Sequence, residues 1–364
     1  MLKLSHYCEP CFVFIASLGI AFFMQGCESE TQRNAAANSL PSLESLHLKN
    51  NHVQVVLTPQ AGGRVIALSV PGFENILSPG TDVVIQPETV ITPSSNRLDY
   101  RGHIIWLGPQ SEWWVHQQVN ATRAQAKSVW PPDPYVTMAR NKVVEHSEQR
   151  IELKGVESPV SGMRVNKTFA LPDQNVPDEE TQGTLVITAT AENITRDQTT
   201  RWDLWMNTRV TTDTRVYVPV AGAENVRLSP FSPPASGEIQ FLMEDGILAL
   251  NWEKRHTGAV VEGKLFIQPS AGWMAAFTQE QLFIIGFDLL PESLIHPEQG
   301  QVELYLQTGL GAEAGGVIEI EQHAAYKTLV PGQSMSAQQR WRVMPYTGGS
   351  TPNDHRNALR ALGL

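Results

Sequence analysis

Short runs in which apolar and polar residues alternate recur along most of the chain. Val53-Gln-Val-Val-Leu57, Arg64-Val-Ile-Ala-Leu-Ser-Val70, Gly162-Met-Arg-Val-Asn-Lys-Thr-Phe169 and Thr184-Leu-Val-Ile-Thr-Ala-Thr-Ala191 are of this kind, as are Gln301-Val-Glu-Leu-Tyr-Leu306 and Val317-Ile-Glu-Ile-Glu321. Successive side chains of a strand point to opposite faces, so a period of two in β-branched and apolar residues predicts half-buried strands. About fifteen such runs occur, separated by Gly, Pro, Asn and Asp. Amphipathic helical periodicity is scarce, and Asp354 to Leu362 is the one short helix expected, near the C-terminus. Many strands without intervening helices predict an all-β, two-sheet antiparallel sandwich. The Pro-rich stretch Ser229-Pro-Phe-Ser-Pro-Pro-Ala-Ser236 reads as a long loop inside one domain, since similar strand runs lie on both sides.

The pattern differs at the N-terminus. Behind Lys3, an apolar run extends from Cys11 to Met24. It is shorter than the roughly 20 apolar residues that cross a bilayer, and has the length of a signal-peptide core. Met24-Gln25-Gly26-Cys27 follows directly and resembles a bacterial lipobox. That resemblance implies cleavage before Cys27 and its acylation, which would hold the protein firmly on a membrane at ~0.8 kcal/mol per buried CH₂. Glu28, where a retained lipoprotein carries Asp, favours the outer membrane facing the periplasm. The expected organisation is therefore a signal peptide over 1–26, a lipidated cysteine and polar tether over 27–46, a β-sandwich over 47–346 and a C-terminal tail over 347–364. As a flexible coil the tether would span on the order of 20–25 Å.

A formal net charge of −10 lacks the basic footprint of nucleic-acid binding. Cys8 and Cys11 lie in the segment to be removed, and Cys27 is the residue to be acylated. No thiol then remains for a disulfide, a cysteine-bound metal or a nucleophile. The histidines show no zinc spacing, Gly311-Ala-Glu-Ala-Gly-Gly316 lacks the Lys-Ser/Thr of a phosphate loop, and no G-x-S-x-G elbow occurs. Neither a metal nor a cofactor is expected.

Three segments carry candidate chemistry. In Arg101–His116 and Trp130–Tyr135, four of the nine tryptophans lie beside His103, Gln110, Glu112 and His116. Aromatic faces stack on sugar C–H faces while amides and carboxylates hold hydroxyls, so Trp106, Gln110, Glu112, Trp113 and Trp130 are candidate sugar-binding residues. The alternative is that the tryptophans pack the core. In Arg201-Trp-Asp-Leu-Trp-Met-Asn-Thr-Arg-Val210, a strand places Trp205, Asn207 and Arg209 on one face, opposite Trp202, Leu204 and Met206. Glu319, Glu321 and His323 share a face of a late strand. Two carboxylates so close would push one pKa up towards that of a general base; a solvated sheet face is the plainer reading.

Read in order, these segments resemble the galactose-mutarotase-like superfamily. Ala61-Gly-Gly-Arg-Val-Ile-Ala-Leu with Glu74-Asn-Ile-Leu77 is similar to its first strands. Lys167-Thr-Phe-Ala-Leu171 with Leu185–Asn193 is similar to its central meander, and Ile318-Glu-Ile-Glu-Gln, Leu329-Val-Pro-Gly-Gln333 and Arg340-Trp-Arg-Val343 to its close. The Gly-His-x-x-Trp…Trp-Pro-Pro arrangement resembles a bacterial branch built on a domain of unknown function. The resemblance, over about residues 47–346, implies a twisted supersandwich with a sugar-binding face and an aldose-epimerase-like reaction, with Glu319 or Glu321 as base. The family's central histidine is not matched, the Trp205–Asn207 region standing in its place, and His103 is the expected substitute. The leading expectation is an exported lipoprotein that recognises a sugar or oligosaccharide. A lyase-like polysaccharide-processing enzyme and a non-catalytic envelope protein are the alternatives.

Overall fold

The computed structural model describes residues 43–78, 90–96, 101–172, 182–229, 239–250, 261–278, 280–308 and 316–364. The expected signal peptide, Cys27 and most of the tether lie outside the described residues. The alternating runs do form strands. One sheet contains β1 (Leu46–Lys49), β2 (Gln54–Thr58), β3 (Arg64–Ser69), β4 (His103–Gly108), β9 (Thr200–Val210), β11 (Val226–Ser229), β14 (Val261–Ile267), β17 (Val302–Thr308), β18 (Val317–His323) and β19 (Lys327–Leu329). Its order is β1-β2-β3-β4-β9-β18-β17-β14-β11, with β19 beside β9. The second holds β5 (Lys142–His146), β6 (Arg150–Lys154), β7 (Met163–Ala170), β8 (Thr184–Asn193), β10 (Arg215–Pro219), β12 (Phe241–Glu244), β13 (Ile247–Leu250), β15 (Trp273–Phe277), β16 (Gln281–Phe287) and β20 (Ser334–Pro345). It runs β12-β13-β10-β15-β16-β20-β8-β7-β6-β5. The pairings that order the two sheets are antiparallel, so the fold is an all-β, two-sheet sandwich.

Alternation decides which side chains fill the sandwich. Along β7, Met163, Val165 and Phe169 are buried while their neighbours are half-exposed. The facing sides of the sheets share a core that includes Leu57, Phe169, Ile187, Leu304, Ile320 and Trp341. Each large apolar side chain buried there contributes about 1.5–3 kcal/mol. Lys167 interrupts the apolar face of β7: it is 2% exposed, and its ammonium donates to the carbonyls of Gly62 and Gly63. The turn at Ala61–Gly63 is left-handed throughout, and a Cβ on Gly62 would lie 2.5 Å from the Thr137 carbonyl oxygen. Only glycine accepts both the conformation and the approach.

Among the described residues, three short α-helices accompany the sheets: α1 (Ala121–Gln125), α2 (Pro134–Thr137) and α3 (Pro352–Ala361). Helix α3 starts two residues before its expected boundary because Thr351 and Asp354 form a capping box with proline in the first turn. Its Leu359 packs with Tyr217 and Phe277 on the second sheet.

Candidate active site

Strand β9 places the site. It pairs with β4 on one side and β18 on the other, and β18 continues to β17 and β14. The register sets Trp205 opposite Trp106 and His323, Asn207 opposite Glu321, and Arg209 opposite Glu319. Glu303 of β17 is opposite Glu321. Directly opposed residues point to the same face of a sheet. Ile318, Ile320 and Gln322 point to the other sheet, where Gln339 donates to Gln322. The row containing Glu319, Glu321 and His323 therefore faces outward, away from the second sheet.

On that outer face the polar groups form one connected network. Arg209 Nε donates to Glu319 Oε1 at 2.6 Å. The Asn207 amide donates to Glu319 at 3.1 Å and to Glu321 at 2.7 Å. Lys264 Nζ lies 2.5 Å from Glu303 and 2.6 Å from Glu321. His323 spans Asp203 on Nδ1 and Glu303 on Nε2, each at 3.3 Å, with the Gln299 amide 2.9 Å from Nδ1. Glu319 is the most open of the ion-paired members, with 13% of its side chain exposed, whereas Glu303, Glu321, Asp203 and His323 are 0–1% exposed. Gly108 makes room at the Asp203 end: a Cβ there would lie 2.6 Å from the Gln299 amide nitrogen and 2.7 Å from Asp203 Oδ1.

Burial and neighbours push these groups apart. Burial raises the Glu321 carboxyl, and Glu319 and Glu303 beside it add to the rise against the pull of Lys264, leaving it well above the usual carboxylate range. Burial also raises Glu319, but Arg209, helped by a hydrogen bond from Glu321, outweighs it and holds the group at about 2. Glu303 is likewise held at about 2, where Lys264 and His323 overcome burial. His323 is raised to about 9: burial disfavours its charge, but Glu303 and Asp203 restore it. Of the two neighbouring carboxyls, Glu321 is the one whose charge is disfavoured, and its oxygens face the Asn207 amide and the Lys264 ammonium. Opposite charges held this close are what allow so many ionisable groups to be buried together.

The same face carries the predicted tryptophans. Trp106 meets Trp205 edge-on at 4.9 Å and Trp113 at 5.7 Å, Trp113 stacks on Trp205 at 5.8 Å, and Trp130 lies 6.1 Å from Trp106. Arg209 sits over Trp106 at 5.1 Å and Lys264 over Trp205 at 4.6 Å. Trp106, Trp113 and Trp205 are 3–5% exposed and pack on one another, while Trp130 is 43% exposed. Gln110 and Glu112 stand at the margin. The Gln110 amide donates to the Val129 carbonyl, and Glu112 accepts from the Tyr326 hydroxyl and lies 3.5 Å from His116.

His103 is not brought to this face. In β4 it is three residues from Trp106 and so on the opposite side. It lies between the sheets, 1% exposed, edge-on to Trp341 at 4.8 Å with Nδ1 2.9 Å from the Thr208 hydroxyl. Burial, with Lys167, Arg209 and Arg64 nearby, lowers its pKa to about 3. The expected partnership of His103 with Glu319 and Glu321 is therefore absent, and His323 is the histidine that shares their strand and face. Sequence reasoning did not single out Asp203, Lys264, Gln299 and Glu303. Asp203 has the parity of Trp205, Asn207 and Arg209 in β9, and Glu303 lies on the polar side of an alternating run, so a signal existed for both. Lys264 and Gln299 are joined to them only by tertiary register.

Ligand atoms of Glu303, Glu321 and His323 lie within 4.8 Å of one another, a spacing a metal ion could use. Lys264 is already in contact with both carboxylates, so a cation would have to displace it. The donor set is thus occupied by the protein's own ammonium and does not fit a resident metal.

Among the described residues, four buried polar atoms of this region have neither a hydrogen-bond nor an ion-pair partner: Asp203 Oδ2, Trp205 Nε1, Asn207 Oδ1 and Gln299 Oε1. Buried polar groups are normally paired, so this concentration sets the network apart from the rest of the fold. A separate cleft of about 590 Å³ opens where β8 leads into β9, with Glu112 and Trp202 in its wall.

The model of a family described as a domain of unknown function, DUF4380, matches residues 43–344. The chain belongs to this family. No curated protein matches it. This DUF4380 domain is similar in fold to a TPR-domain containing protein from Parabacteroides distasonis, at 14% identity and a TM-score of 0.52, covering 84% of this chain and 48% of that one. Weaker likenesses, each covering 84% of this chain, are to a galactose mutarotase related enzyme from Lactobacillus acidophilus (9% identity, TM-score 0.48, 98% of that chain) and to the GalM/aldose epimerase homologue from C. elegans (11%, 0.44, 100% of that chain).

Proposed function

We propose that the outer face of the first sheet binds a carbohydrate and exchanges a proton with it through Glu319 and Glu321. The observation that carries this reading is a pair of neighbouring carboxyls, Glu319 and Glu321, joined through the Asn207 amide on a face that also presents Arg209 and tryptophan. Pairs of carboxyls whose environments drive their pKa values apart are the usual means of acid–base chemistry near neutral pH. In an aldose-epimerase-like step, ionised Glu319 takes the proton of the anomeric hydroxyl and Glu321 gives its proton to the ring oxygen as the ring C–O bond breaks. Reclosure on the other face of the carbonyl returns both protons. Arg209 and Asn207 hold the pair in register, and His323, fixed by Asp203 and Glu303, contributes positive charge beside it. The apolar run at Cys11–Met24 and the lipobox-like Met24–Cys27 support a lipid-anchored protein of the cell envelope, in the outer membrane facing the periplasm.

The test is a panel of aldoses screened by thermal shift, followed by NMR of anomer exchange. One class of aldose should raise the melting temperature and interconvert faster with the protein than without it, and Glu321→Gln should abolish exchange while retaining binding. Absence of any shift across the panel would reject the reading. A second reading, a non-catalytic envelope protein, is favoured by the near-complete burial of the network and of Trp106, Trp113 and Trp205; it predicts that Glu321→Gln changes no ligand-dependent property.

A further inference from the structure

The cleft at the β8–β9 junction is the candidate that goes furthest beyond the outer-face network. Its volume, about 590 Å³, lies in the range of small-molecule sites. The loop joining β6 to β7 and the β8–β9 loop supply one wall, and the segment after Trp114 supplies the other. The lining is dominated by neutral hydrogen-bonding groups. Gln118, Gln198 and Thr199 are exposed, and Glu112 and Arg201 contribute one charge of each sign. Carboxamides and hydroxyls both give and accept hydrogen bonds, which matches a ligand whose groups are hydroxyls. Val160 and Ile194 add apolar surface, suited to sugar C–H faces.

At the cleft end β19 covers one edge of β9, over Thr200–Trp202, and β7 pairs with β8 at Met163 and Asn193. Arg201 shares the outward parity of Asp203, Trp205, Asn207 and Arg209 in β9. The cleft thus continues the row that forms the network, with Arg201 six residues and about 20 Å from Asn207 at ~3.4 Å per residue. A single sugar unit cannot reach both places.

We propose that this cleft is a second saccharide site, taking a neutral, hydroxyl-bearing oligosaccharide chain. The inference rests on the carbohydrate reading of the outer face for its ligand class, but on different residues. The experiment measures calorimetric affinity of the full-length protein for neutral monosaccharides, for neutral oligosaccharides of increasing length, and for uronic-acid oligomers and a neutral peptide as controls. Two cleft variants are compared with wild type: Gln198→Ala combined with Arg201→Ala, and Thr199→Trp, which fills the space. Glu321→Gln serves as the network variant. Both cleft variants should weaken neutral oligosaccharide binding at least tenfold and leave monosaccharide binding unchanged. Oligosaccharide affinity that ignores both cleft variants, while Glu321→Gln abolishes anomer exchange by NMR, overturns the cleft proposal and leaves the outer-face reading standing. Loss in the cleft variants with anomer exchange untouched by Glu321→Gln does the reverse. Binding of only the peptide or the uronic-acid oligomers overturns the proposed ligand class, and no binding by wild type overturns both readings.

Discussion

Which glutamate of the pair carries the proton can be tested by replacing each with its neutral isostere. Glu319 is ionised beside Arg209, which is 2% exposed and 2.6 Å away. Glu319→Gln leaves a buried guanidinium without its counter-charge, a loss that ordinarily costs about 3–5 kcal/mol. The Trp106 face, 5.1 Å from that guanidinium, is present in both proteins and cancels in the comparison, so the full cost of about 3–5 kcal/mol is expected. Burial and two neighbouring carboxylates disfavour charge on Glu321, so Glu321→Gln removes less. The amide oxygen still accepts from Asn207 while its NH₂ takes the place of Oε2 beside the Lys264 ammonium, and a cost of about 1–3 kcal/mol is expected. Urea unfolding at pH 7, followed by tryptophan fluorescence, measures both. Equal costs for the two variants, or a larger cost for Glu321→Gln, would refute the assignment of the proton and with it the acid–base roles.

Lys264→Met should cost about 3–5 kcal/mol at pH 8, since Glu303 and Glu321 lose the ammonium between them. The cost should shrink towards pH 5: without Lys264 the Glu321 carboxyl, already raised by burial and its carboxylate neighbours, rises further, and its protonation on acidification returns stability. An unfolding midpoint deficit independent of pH would contradict this. Lys167 and His323 should give opposite linkage slopes. Burial, with Arg64 nearby, lowers Lys167 to about 7, so its charge weakens the fold most at pH 7 and below, and stability recovers as pH rises towards 10.5. Any advantage of Lys167→Met over wild type should therefore fall with rising pH, by up to about 1.4 kcal/mol per unit. His323, raised to about 9, contributes stability that is complete below pH 6.5 and lost as pH rises through 9. The deficit of His323→Gln should thus diminish over that range, and a matching slope in the two variants would refute one of the assignments.

The strands were legible because the core demands alternation: β7, β8 and β18 follow the period-two pattern from which they were expected. Parity also placed Trp205, Asn207 and Arg209 together, and Glu319, Glu321 and His323 together, before any register was known. What failed was the meeting of distant segments. His103 was grouped with Trp106 by proximity in sequence, although three residues along a strand reverse the face. Lys264 carries no signal in its own strand, because its role depends on β14 lying two strands from β18 through β17. Nor could the pattern show that the charged face would be covered: an alternating strand with a polar side looks the same whether that side meets water or a layer of indoles.

Gly108 has a consequence for how this family diverges. Its missing side chain is space that Gln299 and Asp203 occupy, and those two hold His323. A single methyl group at position 108 would disturb all three at once, while a change at any one of the three would remove the reason for glycine. Gly108, Asp203, Gln299 and His323 should accordingly pass down lineages as a unit. Descendants that lost the outer-face network should be recognisable first by an alanine or serine at 108, before any glutamate is lost.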